Sequence, residues 1–338
     1  METLTSCPLC GEKGPFSIHI QCRDYLVSQE IFSVTHCASC DLLFTNPRPS
    51  LDEMSDFYQS DEYISHAETV TSLQDKVYVK VKRRMLSQKL GLLKKHLNQQ
   101  FFGNHSPDTE QKRGVHSIAS YRYRILDFGC GTGAFVKGAA EQGIDAIGFE
   151  PDFSAREVAA KQGVQVIGTE TELGAIAENS FHAITLWHVI EHLHDFKNKL
   201  NHFQRLLKPG GVLFLAAPMA NSSDAVMYGK YWAAWDLPRH ILHFTPSTLK
   251  RAGEDSGFDY KDKNPLPFDA WYISLISEQY KKKEKQLEKT GKGQNGQTLL
   301  PALKAGAKGS WSNLKAITGA SPWSSQTFVF VKPADKLK

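Results

Sequence analysis

An acidic residue and three alternating glycines give this chain its clearest chemical signal. The segment 125–133 reads ILDFGCGTG, so that an apolar run ends in Asp127 and the glycines follow. Glycine has no Cβ, so the chain can turn tightly there and its backbone can approach a ligand closely. A helix start after the loop would aim free N–H groups and the helix dipole at the same spot. Glu150 ends a second apolar run and places a carboxylate where a ribose lies in a nucleotide-binding βαβ unit. The pattern predicts a nucleoside site.

The identity of the nucleoside depends on details of the loop. Gly129, Gly131 and Ala134 satisfy the loose G-x-G-x-x-G/A fingerprint of NAD enzymes, but Asp127 and the early third glycine, Gly133, do not fit it. The string D-x-G-x-G-x-G instead resembles motif I of the class I S-adenosylmethionine (SAM) methyltransferases. In that family the loop backbone holds the methionine end of SAM, and the second acidic residue binds the ribose hydroxyls. The remaining alternative is a glycine turn without a ligand.

Further strings support this resemblance in chain order. The stretch 181–187 (FHAITLW) is typical of a buried strand, and VIEHLHD follows it. A helical stretch ending in LLKPGG, at 206–211, then leads to an apolar strand at 212–216. This order is similar to the fourth and fifth strands of a class I methyltransferase. The resemblance covers roughly residues 120–265 and a closing strand near 326–332.

The resemblance implies SAM as the methyl donor. We expect Cys130 to pack beneath the cofactor rather than to act as a nucleophile, and we expect the turn at 167–172 to contact the adenine. The expected cofactor-binding residues are Asp127, Gly129, Cys130, Gly131, Gly133, Glu150, Pro151, Trp187 and His188.

Four of the six cysteines form two C-x-x-C pairs. Cys7 and Cys10 make the first pair, Cys37 and Cys40 make the second, and 26 residues separate them. Four thiolates arranged in this way suit a closed, structural Zn²⁺ site, and the long spacing requires a β-hairpin between the pairs. The alternative is a set of reduced thiols without metal. Cys22 has no partner at ligand spacing and is expected to be a small buried residue.

This N-terminal layout resembles the amino-terminal zinc region of sugar C-methyltransferases and related bacterial methyltransferases. There the metal domain helps to cover the substrate site. We expect no counterpart of their large additional C-terminal domain in this chain, so shared ancestry does not imply a shared reaction.

The candidate catalytic residues follow the fourth predicted strand and lie in a later aromatic loop. His192, beside Glu191, is the first candidate for a general base, since histidine exchanges protons near neutral pH. Sugar C-methyltransferases carry a Glu-His pair here, but their tyrosine two residues before the glutamate is Val189 in this chain. His240, the third catalytic candidate, lies in the loop 231–244, where this fold places its substrate loop. Arg239 in the same loop could hold a phosphate or carboxylate through its planar guanidinium. The alternative is that these side chains only hold the loop in place.

The expected fold is α/β, with a Rossmann-like seven-stranded methyltransferase sheet, a small N-terminal zinc-ribbon-like module and a helical C-terminal insertion. We expect three regions. A zinc module spans 1–50, a helical connector and polar loop span 51–119, and a methyltransferase domain spans 120–338, with a lid-like insertion at about 265–325. The connector is basic and apolar at helical spacing, so one face should pack on the catalytic domain.

Composition limits the partners. The net charge of +4 does not demand nucleic acid, and the sequence has no apolar run of the length of a membrane span or secretion signal, so we expect a cytoplasmic enzyme. We predict SAM-dependent methyl transfer to a hydroxyl or carbon of a sugar-like or lipid-linked small molecule. RNA is the less favoured substrate, because the fourth strand ends WHVI rather than in the motif used for base amines. A non-catalytic SAM- and zinc-binding scaffold is the third possibility. The oligomeric state is not indicated.

Overall fold

A seven-stranded mixed sheet forms the centre of the molecule. The computed structural model describes residues 1–58, 73–103, 123–290 and 299–334. The strands are β4 (Arg124–Phe128), β5 (Asp145–Phe149), β6 (Val166–Ile167), β7 (Phe181–Trp187), β8 (Leu207–Pro218), β10 (Asp259–Pro265) and β11 (Ser325–Val331). Their order in the sheet is β10-β11-β8-β7-β4-β5-β6, and all pairs are parallel except those of β11, which runs antiparallel to both of its neighbours.

Helices connect and cover these strands. They are α1 (Leu73–Phe102), α2 (Ala134–Ala140), α3 (Phe153–Lys161), α4 (Glu170–Gly174), α5 (Phe196–Leu206), α6 (Ser223–Tyr228), α7 (Pro246–Asp255), α8 (Pro267–Thr290) and α9 (Leu299–Ile317). The central strands β4, β7 and β8 are buried along nearly their whole length, as expected for a sheet covered on both faces. This arrangement confirms the expected Rossmann-like α/β fold.

The boundary between α5 and β8 differs from the expectation. The helix ends at Leu206 and the strand begins at Leu207, so LKPGG belongs to the strand. Pro209 disfavours a helical conformation at Lys208, and Gly210 adopts a φ of 74°, so the helix cannot continue through this segment.

The N-terminal residues form a second, smaller sheet. β1 (Ser17–Arg23) and β2 (Ile31–His36) make the hairpin expected between the cysteine pairs, and β3 (Leu43–Thr45) pairs with β2. The fourth strand, β9 (Leu242–His243), comes from the loop after α6 and pairs with β3. The small sheet is therefore completed by a segment far along the chain.

The connector helix α1 packs on the catalytic sheet. Leu90, Leu93 and Leu97 are buried in one apolar cluster with residues of β4, β8 and α2, which confirms the expected packing face. Within the expected connector and polar loop at 51–119, α1 extends to Phe102, and residues 59–72 and 104–119 lie outside the described part of the chain. Residues 291–298 of the expected lid-like insertion also lie outside it.

None of the helices described has the length and apolarity that crossing a bilayer requires.

Candidate cofactor and active site

The glycine loop lies at the carboxyl edge of the sheet, between β4 and α2. Gly131 adopts a φ of 53°, and no heavy atom lies within 4 Å of the position that a Cβ would take. Glu150, at the end of β5, reaches back to this loop and accepts a hydrogen bond from the N–H of Gly131 at 2.9 Å. Its other oxygen accepts from the N–H of Asp152 at 3.0 Å, and burial raises the pKa of this carboxyl. The two predicted halves of the nucleoside site therefore meet.

Two glycines allow close packing at the loop, Gly129 within it and Gly148 on the neighbouring strand β5. A Cβ on Gly129 would lie 2.5 Å from Val189 Cγ2, so the glycine allows the loop to touch the segment after β7. A Cβ on Gly148 would lie 2.4 Å from Cys130 Sγ, which places the thiol directly over β5. Burial raises the pKa of Cys130 further above that of an ordinary thiol. The thiol therefore packs against β5.

The remaining predicted cofactor residues differ in their surroundings. Gly133 caps the N-terminus of α2 with a φ of 80°. Pro151 is exposed, and its carbonyl accepts a hydrogen bond from Arg156 at 2.6 Å. Asp127 is buried, and one of its oxygens accepts a hydrogen bond from the hydroxyl of Thr185 at 2.6 Å. Burial raises the pKa of Asp127 to about 7.

Helix α1 adds a lysine that the sequence interpretation did not assign to the site. The ammonium of Lys89 lies 4.8 Å from the ring centroid of Trp187. Burial lowers its pKa, although the negative charges of Asp269 and Asp127 oppose that effect. Among the described residues, Lys89 makes no hydrogen bond or ion pair, and Trp187 Nε1 is buried without a hydrogen-bond partner. The Lys89 ammonium and the Trp187 N–H are therefore donors without hydrogen-bond acceptors at the end of β7, the strand beside β4.

A buried charged group follows β7. His188 has a φ of 61°, and its Nε2 lies 3.0 Å from the carboxylate of Asp269 on α8. Its Nδ1 lies 3.5 Å from Glu191. Burial opposes protonation of His188, but Asp269 and Glu191 outweigh it and raise the pKa to about 9. Burial likewise opposes ionisation of Glu191, but His188 and the histidines nearby lower its pKa. A histidinium held between two carboxylates is therefore the state at neutral pH.

The three predicted catalytic residues come together at this edge. A ligand atom from each of Glu191, His192 and His240 lies within 4.8 Å of the others, and the two imidazole centroids are 4.6 Å apart. Burial, reinforced by His240, lowers the pKa of His192 to about 4, so its ring is neutral at physiological pH. His192 Nδ1 lies 3.1 Å from the carbonyl oxygen of Arg239 and 2.9 Å from the hydroxyl of Tyr58.

The contact with Arg239 favours one tautomer of His192. A carbonyl oxygen can only accept, so this hydrogen bond needs the proton on Nδ1. The hydroxyl of Tyr58 can accept from that N–H or donate to a bare Nδ1, so it does not select between the tautomers. With the proton on Nδ1, the lone pair lies on Nε2, the nitrogen suited to accept a proton from a substrate.

The small N-terminal sheet positions His240. The hydroxyl of Thr45 donates to the carbonyl of His240 at 2.7 Å, and the N–H of Thr45 donates to the carbonyl of Ile241 at 3.0 Å. The Nδ1 of His240 donates to the carbonyl of Ala234 at 2.8 Å, which leaves its Nε2 as the acceptor. Two distant parts of the chain thus orient this imidazole.

Arg239 holds the same loop rather than facing a ligand. Its side chain is 1% exposed and forms ion pairs with Asp236 at 2.7 Å and Asp24 at 3.1 Å. It also donates to the carbonyl of Phe57 at 3.1 Å. These contacts engage Nε and both terminal nitrogens, so the alternative that Arg239 holds the loop in place describes this side chain.

The four paired cysteines form one cluster. Cys7 and Cys40 Sγ lie 3.5 Å apart, Cys10 and Cys37 Sγ lie 3.6 Å apart, and all four lie within 4.8 Å of one another. Tetrahedral zinc with bonds of about 2.3 Å separates its sulfurs by roughly 3.8 Å, so the donor set fits this ion. The two knuckles are closed alike, by hydrogen bonds from Gly11 N–H to the Cys7 carbonyl and from Asp41 N–H to the Cys37 carbonyl. Cys22 is buried elsewhere, as expected.

Three residues of the site carried no local signal that sequence analysis could use. Lys89 is one of many lysines on a basic helix, Asp269 begins a helix in the C-terminal insertion, and Tyr58 follows the small module. Only the packing of their elements brings them to the edge of the sheet.

Comparison with known proteins agrees with this fold. The strand order, the glycine loop and the acidic residue after β5 define the class I methyltransferase architecture. A family model described as a methyltransferase domain matches residues 84–262, more than half of the 338 residues. The chain belongs to this family and is a class I SAM-dependent methyltransferase.

Individual relatives are more distant. The ubiquinone biosynthesis O-methyltransferase of Chelativorans sp. (strain BNC1) is 30% identical over 166 residues, which cover 44% of this chain and 65% of that protein. Its namesake in Leptothrix cholodnii is 25% identical over 176 residues, covering 46% of this chain and 75% of the relative. The chain thus spans slightly less than two thirds of the first of these relatives. A SAM-dependent methyltransferase from Thermotoga maritima, described as a possible histamine N-methyltransferase, has 19% identity and a TM-score of 0.41, covering 63% of this chain and 83% of that chain.

Proposed function

We propose that this enzyme transfers the methyl group of SAM to a hydroxyl group of a sugar-like or lipid-linked small molecule. The observation that carries the proposal is the position of His192. It is neutral, offers a lone pair on Nε2, and lies three residues after Val189, which contacts Gly129 of the cofactor loop. A base and a methyl donor would therefore share one edge of the sheet.

The cofactor-binding roles proposed from the sequence are compatible with this geometry. Glu150 would accept from the ribose hydroxyls, and the open backbone at Gly131 would lie against the ligand. The ammonium of Lys89 would meet the carboxylate of the methionine moiety, since it makes no hydrogen bond or close ion pair among the described residues. SAM supplies an activated methyl group, because its C–S electron pair returns to sulfur when the methyl carbon is attacked.

His192 has a defined task in this scheme. The attacking hydroxyl oxygen forms the new C–O bond, and its proton passes to His192 Nε2. The Nδ1–H group of His192 keeps its hydrogen bond to the carbonyl oxygen of Arg239. The nearby carboxylate of Glu191 stabilises the imidazolium that forms. General base catalysis of this kind contributes about 10²–10⁴-fold. His240, whose ring packs edge-on against His192, would orient the acceptor.

The cysteine cluster is proposed to hold structural zinc. The sulfur separations and the matching knuckles support this assignment. With four thiolates the ion has no open position for substrate, so it would stabilise the small sheet that orients His240. The proposed domain division at residue 50 follows from this role.

The choice of a hydroxyl acceptor has independent support. The curated relatives carry the name O-methyltransferase, which describes those proteins and motivates the same chemistry here.

The deciding experiment incubates the purified chain with methyl-labelled SAM and fractionated pools of lipids, sugar nucleotides and RNA. Label in a hydroxyl of a lipid or sugar fraction is expected. Label in RNA, or binding of S-adenosylhomocysteine without transfer to any pool, would contradict the proposal.

A pair of variants then tests the base. His192→Ala should reduce turnover of the identified acceptor by about 10²–10⁴-fold while leaving the affinity for S-adenosylhomocysteine unchanged. The matched control, His202→Ala on α5, removes a half-buried histidine away from the loop and should leave turnover intact. Equal rates in the two variants would remove His192 as the base.

A further inference from the structure

Helix α9 buries its small and polar side chains and exposes its large apolar ones, the reverse of the usual arrangement in a globular protein. Its buried positions are small or polar and include Ala305, Ser312, Asn313 and Ala316. Ser312 donates to the buried carboxylate of Asp224 at 2.8 Å, and the Asn313 amide donates to the carbonyl of Pro267 at 3.0 Å. The inner face of α9 is thus fully used by a polar, closely packed contact with α6 and α8.

The large apolar side chains of α9 face outward instead. Leu303 is 70% exposed, Trp311 50%, Leu314 49% and Ile317 68%. Their spacing of eight, three and three residues places them on one side of a helix with 3.6 residues per turn. Trp271 of α8, itself 38% exposed, borders this row through a hydrogen bond from its Nε1 to Ser310 at 3.0 Å. Scattered exposed apolar residues are normal, but four large apolar side chains on one side of a helix, bordered by the tryptophan of a second helix, mark an interaction surface.

Positive charge flanks the row. The segment 299–317 contains three lysines and no acidic residue. The lysines are Lys304, Lys308 and Lys315, so the intervals between them are four and seven residues. At this helical spacing the three lie together along one border of the apolar row. Lys315 Nζ lies 5.5 Å from the Trp311 ring centroid, while Lys308 is paired with Glu278 at 2.7 Å. Lys304 and Lys315 therefore remain at the border of the apolar row.

We propose that this face of α9 docks on the surface of a bilayer that contains anionic phospholipid. A helix with an apolar row, tryptophan at its border and flanking lysines lies in the plane of such an interface, with its apolar side chains in the acyl boundary and its ammonium groups among the phosphates. The inner face remains bound to the protein, so the helix lies on the membrane without leaving its place in the fold.

A second copy of this chain fits the face less well. Symmetric dimers use the same patch on both subunits, which would bring the lysines of α9 against those of the partner's α9. The face offers no carboxylate to compensate them. Anionic headgroups supply the missing negative charge.

The position of α9 relates this surface to the site. Helix α8 packs along α9 and carries Asp269, which contacts His188 at the end of β7. Docking through α9 would therefore hold the active-site edge close to acceptors that partition into a membrane. The docking proposal stands whether or not the acceptor is a lipid, because it concerns a surface away from the proposed base.

Vesicle sedimentation tests it with the full chain. The probes are large unilamellar vesicles of pure phosphatidylcholine and of a two-to-one mixture of phosphatidylcholine and phosphatidylglycerol. We expect binding to the mixed vesicles that weakens with salt. The variant Leu314→Glu/Ile317→Glu should bind at least about tenfold more weakly, since two exposed apolar side chains become charged.

Matched variants separate the contributions. Ile18→Glu/Ile31→Glu makes the same changes at two equally exposed isoleucines of the small sheet and should bind as the parent does. Lys304→Glu/Lys315→Glu should weaken binding to the anionic vesicles by about fivefold or more per lysine. Circular dichroism melting of each variant verifies that it is folded.

Three results would overturn the proposal. The first is a parent protein that binds neither vesicle, and the second is equal vesicle binding by the parent and the Leu314→Glu/Ile317→Glu variant. The third is a parent dimer in light scattering that becomes monomeric in the same variant, which would assign the face to contact between copies of the chain.

Discussion

The carboxylate of Asp269 lies 3.0 Å from Nε2 of His188, so the C-terminal insertion reaches the end of the fourth strand of the catalytic domain. Asp269 is in the first turn of α8, and His188 follows β7 in a left-handed conformation. The contact gives α8 an electrostatic role in the site in addition to covering it. It also explains why a non-glycine residue is held at a φ of 61°, because the histidinium is fixed between two carboxylates.

This contact predicts a pH-dependent stability. The folded-state pKa of His188 is raised from 6.5 to about 9, so the protonated form is favoured by folding. Its stabilisation is complete below the unfolded pKa and is lost as the pH rises through about 9. Asp269→Asn should therefore reduce the free energy of unfolding by about 1–3 kcal/mol at mildly acidic pH, and by much less above the folded pKa.

Urea unfolding of parent and variant across this pH range measures the effect. The control is Asp255→Asn, which removes an exposed ion pair with Arg251 on α7 and should change stability by less than about 0.5 kcal/mol. A difference for Asp269→Asn that does not vary with pH would show that His188 is not charged in the folded protein.

Lys89 is predicted to contribute to SAM affinity. Its ammonium has no ion-pair partner among the described residues, so a carboxylate of the ligand would find an unsatisfied charge beside Trp187. Lys89→Met should weaken binding of S-adenosylhomocysteine by about tenfold or more, by the loss of a charge-assisted hydrogen bond. Isothermal titration with Lys94→Met, an exposed lysine of the same helix, provides the control. Equal affinities for the two variants would place the carboxylate elsewhere.

The cysteine cluster is predicted to hold one zinc ion per chain. Metal analysis of the purified protein should give this ratio, and Cys10→Ser should lose the ion together with several kcal/mol, on the order of a structural zinc contribution. Cys22→Ala, which alters a buried thiol outside the cluster, should retain the metal. A metal-free parent that keeps its thermal stability would contradict the structural role.

Two glycines of the cofactor loop should respond differently to alanine. Both have positive φ, which costs an alanine about 1–2 kcal/mol. Gly129→Ala adds a collision at 2.5 Å with Val189, so a further 1–3 kcal/mol, roughly, is expected from overpacking. Gly131→Ala meets no heavy atom within 4 Å, and its main effect should be on the ligand.

Unfolding of the ligand-free protein and titration with S-adenosylhomocysteine separate these effects. The pair Gly129→Ala/Val189→Ala should recover part of the stability lost in the first variant. No recovery would mean that the backbone conformation, rather than contact with Val189, accounts for the loss.

Sequence analysis was most successful where short segments carry their own physical signal. The loop after β4 was identifiable because glycine spacing reflects positive φ at Gly129, Gly131 and Gly133. The Thr245-Pro246 pair carries such a signal, since threonine caps α7 and proline occupies its first turn, with Thr248 completing the capping box. The hairpin between the cysteine pairs and the packing face of α1 were also predicted correctly, because both depend on local periodicity.

It was weaker where the outcome depends on competition between distant groups. Arg239 lies in a loop suited to a substrate, yet Asp24 and Asp236 engage its guanidinium completely. Asp24 is 215 residues away in the chain, and nothing near Arg239 indicates it. The proposed roles of the site residues stay predictions until the variants above are measured.

The class of enzyme, the glycine loop and the set of paired cysteines follow from the sequence alone, since each depends on residue types at short, fixed spacing. Contacts between distant elements were needed to find the partners of His192, the sheet that orients His240 and the lysine that lies against Trp187. The tertiary structure also showed that α9 presents its large apolar residues outward. These properties arise from contacts between elements far apart in the chain, where packing and hydrogen bonding select one partner among many of the same type.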